Sequence, residues 1–148
     1  MLALHRGDLP GAKTQLTAVR AGTDPVSTIE TALLRAGIAR AAGNSDEEVA
    51  ALKRAVSIQD DQWYSEPPRF FYPTRESLGG AYFRAGRLAD AEQTFRADLD
   101  VNPDNPRSLY GLAQTLQREN RQSDAAAIET RFSAASRRAD VPYDTADL

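Results

Sequence analysis

The stretch RESLGGAYFRAGRLADAEQTF, Arg75 to Phe95, decides the fold. Leu78 and Tyr82 stand four residues apart, and after a break Ala91, Phe95 and Leu99 repeat the same step. Residues four apart share one face of an α-helix, so each half reads as a helix with a single apolar stripe. Gly86 marks the break and ends the first helix. Gly79 in the first helix and Ala91 in the second are small enough for two antiparallel helices to approach closely, while Tyr82 and Phe95 fill the volume beside them. Pro103, after Asn102, closes the pair.

The pattern recurs outward. A shift of about 34 residues brings Leu78 onto Leu112, Gly79 onto Ala113, Tyr82 onto Leu116, Arg87 onto Arg121, Asp90 onto Asp124 and Ala91 onto Ala125. Past Ala125 the match degrades: Phe95 falls on Glu129, and the apolar stripe of the last helix runs through Ile128, Phe132 and Ala135, with Arg131, Arg137 and Arg138 making its end polar. A solvated outer face suits a terminal repeat and cations suit a helix C-terminus, so Gln122 to about Ala139 reads as a closing cap. Upstream, LLRAGIARAAGNSDEEVAALKRAV places Gly43 at the inter-helix turn and Leu52 and Ala55 where Phe95 and Asp98 sit, with Glu48 in the place of the small alanine. Earlier still, Gly7, Leu9, Ala12 and Leu16 align with Gly86, Leu88, Ala91 and Phe95, so the chain is expected to begin inside a repeat.

Leu78-Gly79, Tyr82, Ala91, Phe95 and Pro103 match the pattern W-x2-L-G-x2-Y…A-x3-F…P at every position but the first, which Arg75 holds. In this the chain resembles the tetratricopeptide repeat family, and Trp63 to Tyr143 is similar to the last repeats of some bacterial proteins of that family whose role is undefined. The resemblance implies an all-α solenoid of antiparallel helix pairs in a right-handed superhelix, with the first helix of each pair lining a concave groove. The expected organisation is one domain over 1–148: a partial repeat at 1–22, a degenerate repeat at 25–58, an aromatic and proline-rich connection at 59–71, a well-matched repeat at 72–105, the last repeat and capping helix at 106–139, and a tail at 140–148. The incomplete first unit would leave an apolar face open. Either more repeats precede it, or a second copy pairs there.

Composition excludes several functions. The 148 residues suffice for a core that needs no disulfide or metal, and the absence of cysteine removes thiolate chemistry. A formal net charge of −3, with arginines scattered among acids, argues against nucleic acid as a partner. No apolar run is long enough to span a membrane and MLALHRGD is too short for a signal core, so a cytoplasmic location is the default expectation. His5 is the sole histidine and has no second ligand or nucleophile beside it, so neither a metal site nor catalysis is expected, and no cofactor. Gly79-Gly80 precedes no phosphate-loop lysine. The acids at 46–48 begin a helix, and Ser45 with Glu48 has capping-box spacing.

Two groups of residues are candidates for partner binding. The tract WYSEPPRFFYP, Trp63 to Pro73, sets Trp63, Tyr64, Phe70, Phe71 and Tyr72 around Pro67-Pro68, which bar a continuous helix. Its rings either wedge a long connection against neighbouring helices or turn in part to a groove, where Arg69 and Arg75 would offer bidentate contacts to a carboxylate. The second group is the inner stripe that helical geometry leaves free of the packing face: Glu76, Gly80, Phe83 and Arg84, then Arg107, Tyr110, Gln114, Gln117 and Arg118. An ordinary solvated face is the alternative reading. The lysine and asparagine with which family members clamp a peptide C-terminus are replaced here by Glu76 and Gly80. The expected function is a noncatalytic module that binds a protein or peptide, and the competing one a structural or regulatory C-terminal segment of a longer protein.

Overall fold

A computed structural model describes residues 8–18, 24–62, 72–137, 139 and 142–145. Among these residues no strand occurs, and the regular elements are seven helices: α1 (Leu9–Ala18), α2 (Pro25–Ala41), α3 (Ser45–Asp61), α4 (Thr74–Arg84), α5 (Leu88–Val101), α6 (Pro106–Arg118) and α7 (Gln122–Ala135). None is long and apolar enough to cross a membrane. The chain forms two compact units, Met1–Thr74 and Arg75–Leu148.

In the first unit α2 is buried on two sides. Asp24 caps it by accepting the N–H of Ser27 at 3.0 Å, and Pro25 occupies the first turn, where a missing donor does no harm. Leu34 and Ile38 pack on Ala12 of α1, with Leu9 and Leu16 beside them. Ile29 and Ala32 meet Ala55 of α3, flanked by Leu33 and Ile58. The cap of α3 is one residue earlier than the expected Ser45–Glu48 box: Asn44 accepts the N–H of Glu47 at 3.2 Å and donates to its carboxylate at 3.0 Å. Glu48 is buried, at the register where α5 carries Ala91. At the end of this unit Gln59 accepts from the Thr74 N–H at 3.0 Å and donates to the Tyr72 carbonyl at 2.9 Å, linking Tyr72 and Thr74 to the last turn of α3.

In the second unit the ring of Phe95 is 0% exposed. A Cβ on Gly79 of α4 would stand 2.5 Å from that ring, and one on Gly111 of α6 would stand 2.3 Å from it. Phe95 therefore occupies space that two helices yield by having no side chain at those points. Leu78, Tyr82, Phe83, Leu99, Leu109, Leu112, Leu116 and Ile128 are among the other buried apolar residues of this unit.

One turn joins the helices of three successive pairs. Gly43 and Gly86 have φ of 73° and Asn120 has φ of 61°, the left-handed conformation that glycine and asparagine tolerate best. Each sends its N–H to the carbonyl three residues back: Gly43 to Arg40 at 3.0 Å, Gly86 to Phe83 at 3.1 Å, Asn120 to Gln117 at 3.0 Å. The next N–H reaches five back, from Asn44 to Ala39, Arg87 to Tyr82 and Arg121 to Leu116, each at 2.9 Å. This Schellman closure satisfies carbonyls that a helix end would leave orphaned. Arg87 and Arg121 then begin α5 and α7 alike, pairing with Asp90 at 2.7 Å and Asp124 at 2.8 Å. Ala12, Ala91 and Ala125, equivalent in the sequence register, are all buried.

Gly79→Ala should lower stability in urea denaturation by about 1–3 kcal/mol through overpacking, and Phe95→Ala by about 3–5 kcal/mol. The cost of Gly79→Ala should shrink when Phe95→Leu is already present, because the clash is with the ring. Equal costs in both backgrounds would remove the ring from the explanation.

Candidate functional site

The candidate face is carried by α6. Asn105 caps it, accepting the Arg107 N–H at 3.0 Å, and Pro106 starts it. Leu109, Leu112, Ala113 and Leu116 are buried on one side together with Ser108 and Thr115. What remains is a narrow stripe at three- and four-residue steps: Arg107, Tyr110, Gln114 and Gln117, each half-buried, and Arg118, exposed. An arginine pair, an aromatic ring and two amides thus share one edge of a helix whose other sides are packed.

A polar cluster lies under the first turn of this stripe. Asp98 is 1% exposed and accepts from Ser108 Oγ at 2.5 Å, Asn105 Nδ2 at 2.8 Å and Asn102 Nδ2 at 3.1 Å. Glu76 is 6% exposed and accepts from Asn105 Nδ2 at 2.9 Å and from Arg107 Nε at 3.1 Å. Asn105 therefore sits between two buried carboxylates and gives a proton donor to each, while its own carbonyl caps α6. Buried charges persist only when partnered in this way.

The inner stripe expected to stay free on α4 is instead packed. Glu76, Gly80 and Phe83 are buried and Arg84 is half-buried. The cause is that α4 is engaged from α5, through Phe95 against Gly79, and from α6. Phe83 lies under the guanidinium of Arg118, 4.3 Å from ring centroid to Cζ, and Arg118 Nη1 also donates to the Phe83 carbonyl at 3.1 Å. Arg107 and Arg118 thus reach across to α4 as well as edging the surface. Gln117 donates to Glu129 of α7.

Tyr72 is 41% exposed and Arg75 half-buried. Trp63, Tyr64 and Arg69, with Phe70 and Phe71, lie outside the described residues, as does His5. Near the N-terminal end of α6, Tyr110, Phe132 of α7 and Tyr143 of the tail form a three-ring cluster. Centroids stand 5.4 Å apart for Tyr110–Phe132, 5.8 Å for Tyr110–Tyr143 and 5.1 Å for Phe132–Tyr143, the last pair edge-to-face. Sequence reasoning singled out Tyr110 but neither Asn105 nor Tyr143. Asn105 carried a readable signal, an asparagine just before Pro106 at a helix start. Tyr143 carried none, because it lies in a tail without periodicity and its partners, Tyr110 and Phe132, stand on two different helices.

Glu92 of α5 ties that helix to α7. Partial burial pushes its carboxyl pKa up, but hydrogen bonds from Arg96 at 2.9 Å and Arg121 at 2.7 Å outweigh this and hold it below the ordinary carboxylate value. In the first unit an open cleft of about 300 Å³ between α2 and α3 is lined by Thr28, Thr31, Arg35, Glu47 and Arg54 among others. Its threonine hydroxyls are turned back onto their own helix, Thr28 to the Asp24 carbonyl and Thr31 to that of Ser27, at 2.9 and 2.8 Å. Among the described residues no group of three or more acids and histidines could hold a metal ion. Comparison with protein-family models and with curated proteins gives no match to this chain.

Asn105→Asp keeps the cap acceptor yet replaces a donor with a third carboxylate. It should destabilise the protein more than Asn105→Ala, itself expected to cost about 1–3 kcal/mol in urea denaturation. A neutral Asn105→Asp would show that the two acids do not depend on it. For Glu92 the depressed pKa makes its contribution complete above the unfolded-state value, about 4.3, and lost as pH falls through the lower folded value. Melting temperature against pH should therefore fall less steeply in the acid limb for Glu92→Gln than for wild type.

Proposed function

We propose that this chain is a noncatalytic module that binds a protein or peptide segment, built from tetratricopeptide-like helix pairs of solenoid type. The shared glycine or asparagine turn, the equivalent buried alanines and the matched positions from Leu78 to Pro103 support that construction. The observation that carries the functional reading is the α6 stripe, where Tyr110, Gln114 and Arg118 keep surface in water on an otherwise packed helix.

Such a stripe recognises an extended backbone well. Gln114 offers donor and acceptor to peptide groups, Arg118 offers a guanidinium already steered by the Phe83 ring, and Tyr110 offers a flat apolar surface. Side chains held by packing lose little freedom on binding, so affinity concentrates in a few anchors. Glu76 and Arg107 are committed to each other, which shifts the contact region along α6 toward Gln114 and Arg118.

A partner identified by affinity capture from native lysate should bind the Gln114→Ala/Arg118→Ala protein at least about tenfold more weakly, roughly 1.4 kcal/mol, with helicity by circular dichroism unchanged. Unaltered affinity in a folded double variant would falsify the placement on α6.

A further inference from the structure

The three-ring cluster is unlike the rest of the core. Tyr110, Phe132 and Tyr143 are each only half-buried. Tyr110 and Phe132 also contact each other, with centroids 5.4 Å apart, so the two helices present a cradle of two adjoining rings. Into it the tail inserts one ring: Tyr143 is turned inward while Pro142 and Asp144 on either side are exposed. That alternation is how an extended peptide presents one anchor residue to a surface. Two arginines neighbour the cradle along its helices, one of them, Arg107, ion-paired with Glu76 and still partly exposed. Arg107 lies one turn before Tyr110 on α6, and Arg131, exposed, precedes Phe132 and donates to the Pro103 carbonyl at 2.9 Å.

We propose that Tyr110 and Phe132 form a docking site for an aromatic side chain on an extended acidic peptide segment, and that Tyr143 is its occupant in cis. The tail is then a competitor of the partner. Two rings meet the inserted one from α6 and α7, one tilted and one edge-on, which is the geometry aromatic pairs favour. Acids flanking the anchor, as Asp144 flanks Tyr143, are preferred to bases because the rim carries arginine. A tethered ring competes at an effective concentration on the order of mM, so an outside segment gains access once the tail ring is withdrawn or outbid. This rests on reading Tyr110's edge of α6 as peptide-accepting, but it places the anchor at the α6–α7 end of that edge and names the chemistry of the ligand.

The probe is a fluorescently labelled peptide VPYDTADL, the chain's own last eight residues, titrated into full-length proteins. The Tyr143→Ala protein should bind it saturably, and at least about tenfold more tightly than wild type, whose tethered ring competes. Changing the peptide's tyrosine to alanine, or adding Phe132→Ala to the Tyr143→Ala protein, should abolish binding; Tyr110→Leu serves in its place if Phe132→Ala melts early. A lysine-bearing peptide VPYKTAKL should bind more weakly. No saturable binding to the Tyr143→Ala protein at millimolar peptide, equal affinity for that protein and wild type, or indifference to the peptide's tyrosine would each overturn the proposal and leave Tyr143 as a purely structural cap. A captured partner that still depends on Gln114 and Arg118 in that case would keep the module reading while removing this one.

Discussion

The ring of Phe95 lies where Gly79 of α4 and Gly111 of α6 leave no side chain, and the second unit depends on that fit. An aromatic ring with no exposure contributes several kcal/mol only if its surroundings close on it without voids. Here the closure is made by helix backbone, so the ring sets how near α4, α5 and α6 come to one another. Further contacts follow from that spacing. Glu76 comes within reach of both Arg107 and Asn105, and Phe83 comes under Arg118. With wider helices these pairs would be bridged by water and their residues would be surface.

The price of the close approach is that two carboxylates are taken out of solvent. Asp98 and Glu76 are retained because Asn105, Ser108, Asn102 and Arg107 surround them with donors. Such a cluster adds less to stability than an apolar core of equal volume, yet it tolerates few alternative registers, since a shifted helix would strand a buried charge. Asn105 is its hinge point: one side chain caps α6 and satisfies an acid from each of two other helices. Groups with the chemistry of a binding site are thus engaged inside the molecule, and under the proposed function the surface left for a partner is narrower than the count of arginines and acids along α4 and α6.

What is left open runs along α6 from Gln114 and Arg118 to the ring cluster with Phe132 and Tyr143. The two ends differ in character. One is hydrogen-bonding and cationic, the other apolar and filled by the chain's own tail. Under the proposed function, that gradient would match a segment that carries an aromatic anchor and polar groups at a distance from it.

Helices, their pairing and their turns were legible in the sequence because the signals are local. An apolar step of four, a small residue opposite a large one, and a residue able to adopt positive φ after each first helix all act within about a dozen positions. The equivalence of Arg87 with Arg121 and of Asp90 with Asp124 was readable for the same reason, and the contacts they make are alike. Tertiary structure decided which polar residues face water. Glu76 with Asn105, and Phe83 with Arg118, stand 29 and 35 residues apart, and nothing in either local pattern names the other. Gly111 stood outside the repeat register, and Tyr143 lay in a tail without periodicity. Gly111 matters through the distance between helices, a property of the packed ring and the two glycines together, and Tyr143 through two rings on different helices, which no single helix encodes.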